Sequence, residues 1–476
     1  MIEFDYNNST QKLLIRGDDE IFSQIREHFS VPNDVPAFIR KRYRHIASRK
    51  YIITPTGQCD LGLYWQVRQF LIAKSINTPV VLSKTLQKAL EAPVFDSVFT
   101  DMAYDLRDYQ CETIKNGLKT GRGLCILGTG AGKTLTTATL IENYYRNCNN
   151  KVTFKCLLIV PDLGLVKQTY DELKLYGITY KTTKWTGNDV PDMEANVIIC
   201  NTGVLCSRFA DEEWVKYVDL LIVDEVHRAK HGNELAKIVS KIKTHRKYGF
   251  TGTLPQDNLE LWSLYGKFGP VLYEKPSVEL RDEKFLTNVE VTVLGLTYNT
   301  RVEQKTDSKY RDELEFIFTN TQRNDLLYKL CAKLSNNTLI LVNQIAHGEA
   351  LYEVLSKNTD KAVFFISGSM DVDERDKIKA IMEGTNNVVC IAISAIFSTG
   401  VNIKNIHNII FASGGKSFIR TVQSIGRGLR LHENKTLLSI FDIRDELEYS
   451  RQHSDKRKEI YKKEFIRYTQ KNVKLA

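Results

Sequence analysis

The sequence predicts an α/β protein: a small α+β module, then two successive lobes each built on a parallel sheet, then a helical basic tail. Three observations carry this. From about Tyr104, short apolar runs alternate with helical stretches: Leu124 to Leu127, Cys156 to Val160, Val197 to Cys200, Leu220 to Val223 and Lys247 to Phe250. The rhythm stops, then resumes with Leu339 to Val342, Ala362 to Ile366, Val388 to Ile393, Asn408 to Phe411 and Leu437 to Phe441. Continuous apolar strands between helices mark a parallel sheet covered on both faces. Before Tyr104 the pattern is mixed, as a separate α+β module requires.

Taken in order, Lys12 to Ile15 reads as a strand. Asp18-Asp19-Glu20 opens a helix through Phe29, with acidic residues in its first turn. Tyr51 to Thr54 is a second strand, ended by Pro55-Thr56-Gly57; Leu63 to Ala73 is a helix and Val80 to Leu82 a strand. The module spans residues 1–98 and the first lobe 99–275. Gly266 to Thr300, with Gly269-Pro270 and Lys275-Pro276, reads as connector, placed at 276–308. The second lobe follows at 309–444 and the tail at 445–476. In the tail, Tyr461, Phe465 and Tyr468 stand at helical spacing, which suits a packing face or a base-stacking one.

Composition narrows the class. The chain has 476 residues, 42% hydrophobic and 26% charged, as in globular proteins of several domains. The formal net charge of +9 suits a polyanionic partner without requiring one. No apolar run approaches the roughly 18 residues of a membrane span. The first residues, Met1-Ile2-Glu3-Phe4-Asp5, are acidic and lack the apolar core of a signal peptide. Nine scattered cysteines without a Cys-x-x-Cys pair give no support for zinc and read as thiols of a reducing, cytoplasmic compartment.

The most informative stretch is Leu127-Gly128-Thr129-Gly130-Ala131-Gly132-Lys133-Thr134. It follows an apolar run and precedes a helix. Glycines let backbone N–H groups close around phosphates, and the helix N-terminus adds partial positive charge. Lys133 is placed to reach the β- and γ-phosphates, and Thr134 to hold Mg²⁺. A Gly-rich turn ahead of a lysine is the alternative. The strict pattern also wants a glycine where Leu127 stands.

Two further segments add chemistry. Leu220 to His227 puts Asp224 and Glu225 at the end of a buried strand, where ligands of open α/β sheets bind. Asp224 suits Mg²⁺ and Glu225 suits orienting or deprotonating a water. By itself the pair also suits a solvated turn; Lys133 in the same lobe favours the functional reading. In Gln423-Ser424-Ile425-Gly426-Arg427-Gly428-Leu429-Arg430, the two arginines share one helix face. They suit charge stabilisation at a γ-phosphate or, taken alone, a basic surface helix.

The phosphate loop, Asp224-Glu225-Val226-His227 and the Gln423 block resemble motifs I, II and VI of superfamily 2 helicases of the DExH kind. Other motifs fall in order. Leu106-Arg107-Asp108-Tyr109-Gln110 resembles the adenine-reading glutamine motif, with Arg107 and Gln110 as its site residues. Ile159-Val160-Pro161 with Val166 to Gln168 resembles motif Ia, and Asn201-Thr202-Gly203 motif Ib. Thr251-Gly252-Thr253 resembles motif III, and Ser394 to Asn402, including Gly400, motif V. The resemblance covers Tyr104 to Asp442. Within the superfamily the chain looks most like the phage UvsW-type branch-migration helicases, through Ser398 to Asn405, Lys416-Ser417 and the Gln423 block. Asn402 stands where many relatives carry an acidic residue.

The resemblance implies two tandem RecA-like lobes with ATP and Mg²⁺ between them. Lys133, Thr134 and Asp224, with Gly128, Gly130 and Gly132, would hold phosphates and metal. Glu225 would activate water, and Arg427 and Arg430 would reach the γ-phosphate on closure. His227, Gln423, Thr251 and Thr253 would relay the state of the site; His227 also suits an ordinary hydrogen-bonded turn. Thr202, Arg208, Ser394 and Thr399 would touch a nucleic-acid backbone. Arg40, Arg42 and Arg44, interleaved with Tyr43 and His45, suit phosphates and base stacking, or a solvated basic face. The implied function is an ATP-dependent DNA helicase that translocates and unwinds or branch-migrates forked and junction DNA in recombination, repair or replication. It would act as a monomeric motor in the cytoplasm, that of a bacterial host for a phage protein. The alternatives are an RNA or RNA–DNA hybrid helicase, a duplex translocase that leaves strands paired, and an inactive motor used as a binding module. Intact Lys133, Glu225, Arg427 and Arg430 argue against the last.

Overall fold

Alternation of buried apolar strands with helices produces two large sheets in the computed structural model. It describes residues 1–476 other than 34, 36–46, 129, 188–189, 284–286, 369, 395–402, 404, 414–436, 464–465 and 476. The chain divides into two compact units. One comprises Met1–Gly128 and Gly132–Pro276; the other is built on Ser277–Ala476.

The first unit opens with the small module. Strands β1 (Ile2–Asn7), β2 (Lys12–Gly17), β5 (Gln58–Asp60) and β6 (Val80–Leu82) form a mixed sheet in the order β5-β2-β1-β6. A hairpin of β3 (Ser30–Pro32) and β4 (Arg49–Tyr51) stands apart. β1 alternates buried and part-exposed residues, the period-two pattern of a sheet with one covered face. Asp18 caps the helix Asp19–His28 by accepting from Glu20 N and Ile21 N. The strand expected at Tyr51 to Thr54 is shifted: β4 ends at Tyr51, and the chain turns back through Gly57 into β5.

The rest of the unit is a seven-stranded sheet in the order β13-β7-β12-β11-β8-β10-β9. Its strands are β7 (Gly123–Leu127), β8 (Cys156–Val160), β9 (Thr182–Trp185), β10 (Val197–Asn201), β11 (Leu220–Asp224), β12 (Lys247–Thr251) and β13 (Val271–Lys275). Every pairing is parallel, so all seven strands end on one edge. β7, β8 and β12 are buried along their whole length, which explains the apolar runs of β7 and β8; β12 buries Lys247 and Thr251 at its two ends as well.

The module docks on this sheet's helix Asn258–Phe268. Trp262 and Tyr265 of that helix pack into the module's core. The turn Leu61–Leu63 lies so close that a Cβ on Gly62 would come within 2.2 Å of Tyr265 O. Only glycine permits that backbone approach.

The second unit holds a seven-stranded parallel sheet in the order β16-β17-β15-β18-β19-β14-β20. Its strands are β14 (Asn288–Thr297), β15 (Thr338–Val342), β16 (Ala362–Ile366), β17 (Val388–Ile393), β18 (Asn408–Phe411), β19 (Leu437–Asp445) and β20 (Tyr468–Lys474). Two features differ from expectation. The stretch read as connector holds β13 and β14, and β14 pairs with β19 from Asn288 to Leu296. The tail is a helix, Glu448–Lys463, followed by β20, which joins the sheet beside β14. Tyr461 is buried there, its hydroxyl donating to Asp442, and Arg457 forms a buried ion pair with the same carboxylate. At Tyr461 the aromatic stripe is therefore a packing face. Among the described residues, no helix is long and apolar enough to cross a membrane.

Candidate active site

β12 lies between β7 and β11, so the ends of these three strands bring the phosphate loop, the paired carboxylates and Thr251 to one edge. The loop leaves β7 at Leu127. Gly128 N donates to Lys275 O at 2.9 Å, which fixes the loop's start against β13. Gly130 and Gly132 have φ of 82° and 76°, in the left-handed region that side chains disfavour. Gly132 is doubly constrained, because a Cβ there would meet Gln110 Nε2 at 2.4 Å. Lys133 and Thr134 begin the helix Lys133–Asn147, whose first N–H groups face the loop's concavity.

Gln110 braces this loop from behind. Its Oε1 accepts from Arg107 N at 2.9 Å, and its Nε2 donates to Gly132 O at 3.2 Å. Arg107 Nη1 donates to the Tyr109 hydroxyl. In this arrangement the glutamine sets loop shape, a role that reading it as an adenine contact did not include.

Asp224 closes β11, behind Leu220 to Val223, all fully buried. Its Oδ1 accepts from Glu225 N at 2.9 Å. Glu225 then turns into the left-handed region, with φ 48° and ψ 49°. A non-glycine residue there stores strain of about 1–3 kcal/mol, which the surroundings must hold. They hold it by charge: Lys133 Nζ lies 3.4 Å from Glu225 Oε1, and His227 Nδ1 lies 3.3 Å from Oε2. Burial acts to raise the Glu225 carboxyl. Lys133 and then His227 outweigh it and hold the group well below the usual carboxylate range.

His227 Nδ1 also sits 2.9 Å from Thr251 Oγ1. The Thr251 hydroxyl donates to Thr253 O at 3.0 Å, so towards His227 it accepts. Both neighbours of Nδ1 are then acceptors, which places a proton on Nδ1. A continuous chain results: Lys133, Glu225, His227, Thr251, Thr253.

The residues suit ATP and Mg²⁺ on their own geometry. Two left-handed glycines and a helix N-terminus make an anion cradle. Lys133 supplies a cation, and Thr134 and Asp224 supply oxygens. Among the described residues, no cluster of three His, Cys, Asp or Glu forms a metal cage. A metal completed by substrate phosphates and water, held by one or two protein oxygens, suits Mg²⁺.

Other expected site residues fall elsewhere. Thr202 starts the helix Thr202–Arg208 after β10, on the same edge. Arg208 pairs with Glu212 at 2.8 Å. Ser394 is buried, and its hydroxyl donates to Val342 O at 3.0 Å. Gln423, Arg427, Arg430, Gly400, Thr399, Arg40, Arg42 and Arg44 lie outside the described residues. Sequence reasoning passed over Arg228, whose guanidinium meets both oxygens of Asp162 at 3.3 Å. Its place directly after His227 was the available signal.

The family described as "Type III restriction enzyme, res subunit" matches residues 103–256, and "Helicase conserved C-terminal domain" matches residues 322–432. The chain is 26% identical over 447 residues to the ATP-dependent DNA helicase uvsW of Enterobacteria phage T4, covering 90% of this chain and 88% of that one. It is 25% identical over 417 residues to the DNA 3'-5' translocase XPB2 of Sulfurisphaera tokodaii, covering 79% and 88%. The fold matches the DNA-bound restriction-modification enzyme LlaBIII at a TM-score of 0.59 and 15% identity, over 86% of this chain and 34% of that one. With the two family models in order along the chain and a near full-length likeness to an ATP-dependent DNA helicase, the chain belongs to the superfamily 2 helicases and is an ATP-dependent helicase of the DExH kind.

Proposed function

We propose that the protein couples ATP hydrolysis to movement along DNA and to unwinding or branch migration of forks and junctions. The observation that carries this is the chain from Lys133 through Glu225 and His227 to Thr251, which ties the phosphate loop to the ends of β11 and β12. ATP bound at the loop places its γ-phosphate against Lys133, with Thr134 and Asp224 holding Mg²⁺. Mg²⁺ held there would supply charge neutralisation at the phosphates, and Glu225 would orient and deprotonate the attacking water. Arg427 and Arg430, by likeness to motif VI, stabilise charge on the transferred phosphate. The loops after β8 and β10, which include Thr202, face the nucleic acid. The near full-length likeness to a phage DNA helicase supports DNA as the substrate.

The test compares ATP-dependent strand separation on duplex, forked, four-way-junction and RNA–DNA hybrid substrates. Branched DNA should be processed fastest. Movement on duplex without strand separation would favour a translocase, and preference for the hybrid would overturn the DNA assignment.

A further inference from the structure

We infer that Arg228 is a positioning residue that, through Asp162, makes ATP turnover respond to nucleic acid. The inference rests on the proposal that the loop after β8 faces nucleic acid. Arg228 ends the single 3-10 turn Val226–Arg228 that follows Glu225, and its N–H donates to Glu225 O at 3.0 Å. Its own carbonyl accepts from Asn233 Nδ2 at 2.8 Å. The Arg228 backbone is therefore tied at both its N–H and its carbonyl, on one side to Glu225.

Asp162 stands at the N-cap of the helix Leu163–Leu175, the first residues after β8. An aspartate there ordinarily accepts from the helix's first N–H groups, worth about 1 kcal/mol. Here its side chain makes no cap bond. Both oxygens face the Arg228 guanidinium in a two-pronged pair instead. Each side chain is 40% exposed, so the pair adds little to stability. What it sets is geometry. From one turn, His227 reaches the end of β12 and Arg228 reaches the end of β8, flanking β11 on both sides. A shift of the β8 loop on binding a strand is thereby carried to Glu225, and the reverse.

Full-length Arg228→Ala, Asp162→Ala and the charge swap Arg228→Asp/Asp162→Arg test this, by steady-state ATPase with and without a single-stranded oligothymidine and by anisotropy binding of the same oligonucleotide. Arg228→Ala should keep unstimulated turnover and KM for ATP while the stimulation ratio falls by about 2- to 30-fold, the range of one coupling residue, and Asp162→Ala should lower the ratio in the same range. The swap should recover part of the ratio. Thermal unfolding checks folding, and Arg228→Lys, which keeps charge without the fork, should give an intermediate ratio. Unchanged stimulation in folded single variants, or an equal fall of both rates, would overturn the inference while leaving the helicase reading intact. A wild-type protein stimulated by no nucleic acid would overturn both.

Discussion

The Lys133 ammonium lies 3.4 Å from Glu225 Oε1 and 3.3 Å from Leu127 O, so one cation joins the phosphate loop, the end of β7 and the carboxylate beyond β11. A γ-phosphate would compete for this cation, and Glu225 is then held by His227 alone of the two. In the proposed mechanism, nucleotide binding and activation of the base are thereby linked through a single side chain.

Glu225→Gln preserves shape and removes the base. It should lower kcat for ATP hydrolysis by about 100-fold or more while leaving nucleotide affinity within a few-fold. Lys133→Ala should weaken both. Fluorescent-nucleotide binding and stimulated ATPase on the same preparations separate the two effects, and a Glu225→Gln enzyme with near-normal kcat would remove Glu225 from the mechanism.

The depressed Glu225 carboxyl makes a pH prediction. Its folded pKa lies below the unfolded value of about 4.3, so its contribution to stability is full above that value and is lost as pH falls through the folded one. The Glu225 carboxylate therefore stays ionised across the whole neutral and mildly acid range. In His227→Asn, which removes the imidazole beside it, residual kcat/KM should stay flat from about pH 8 to pH 5.5. A one-proton fall inside that window would show Glu225 taking up a proton there.

Thr251 is fully buried and accepts from His227 while donating to Thr253 O. Thr251→Val keeps the volume and removes both bonds, at a stability cost of about 1–3 kcal/mol. ATP hydrolysis should survive with KM for ATP near normal, while base pairs unwound per ATP fall severalfold; Thr251→Ser should restore the ratio. Loss of hydrolysis and unwinding in equal proportion would show that Thr251 supports the site rather than relaying its state.

How far the sequence went follows from what each signal measures. Buried parallel strands are apolar throughout, so Leu124 to Leu127 and Leu220 to Val223 were legible from composition alone. β9, with Thr182 and Lys184, and β20, with Gln470 to Asn472, are edge strands of mixed polar sequence that lack the apolar run, and the partner of β20, β14, also lies far away in sequence. The carboxylates and the phosphate loop were legible because their chemistry demands fixed residue types. Gln110 was found for its residue type, but its bond to Gly132 O depends on how the helix Asp108–Thr120 packs. The bond from the Ser394 hydroxyl to Val342 O was not legible, because a serine at a strand end looks alike whether it faces solvent or meets a buried carbonyl.

The last prediction concerns the module's attachment. Asp60 at the end of β5 lies 2.5 Å from Lys12 and 3.5 Å from Lys267 at the end of the helix Asn258–Phe268. Burial acts to raise its carboxyl, but Lys267 and then Lys12 pull it down to about 2. Arg122 and Lys247 stand close by, each donating to carbonyls at helix ends: Arg122 to Lys267 O and Phe268 O, Lys247 to Val239 O and Ile242 O. Burial, then Arg122, pushes Lys247 down to about 7. A carboxylate from the module thus offsets a group of buried cations in the sheet domain. Asp60→Asn leaves them uncompensated and should destabilise the protein by about 3 kcal/mol or more. Gly62→Ala, which forces the two backbones apart, should do the same without changing charge. Because the Lys247 pKa is lower folded than unfolded, the wild-type protein should gain stability from this group as pH rises from about 7 toward 10. Urea unfolding followed by tryptophan fluorescence, with Trp262 at the junction, reads all three. If both variants unfold at the wild-type midpoint, the module is not held by this contact. If only Asp60→Asn weakens it, charge rather than backbone approach sets the dock.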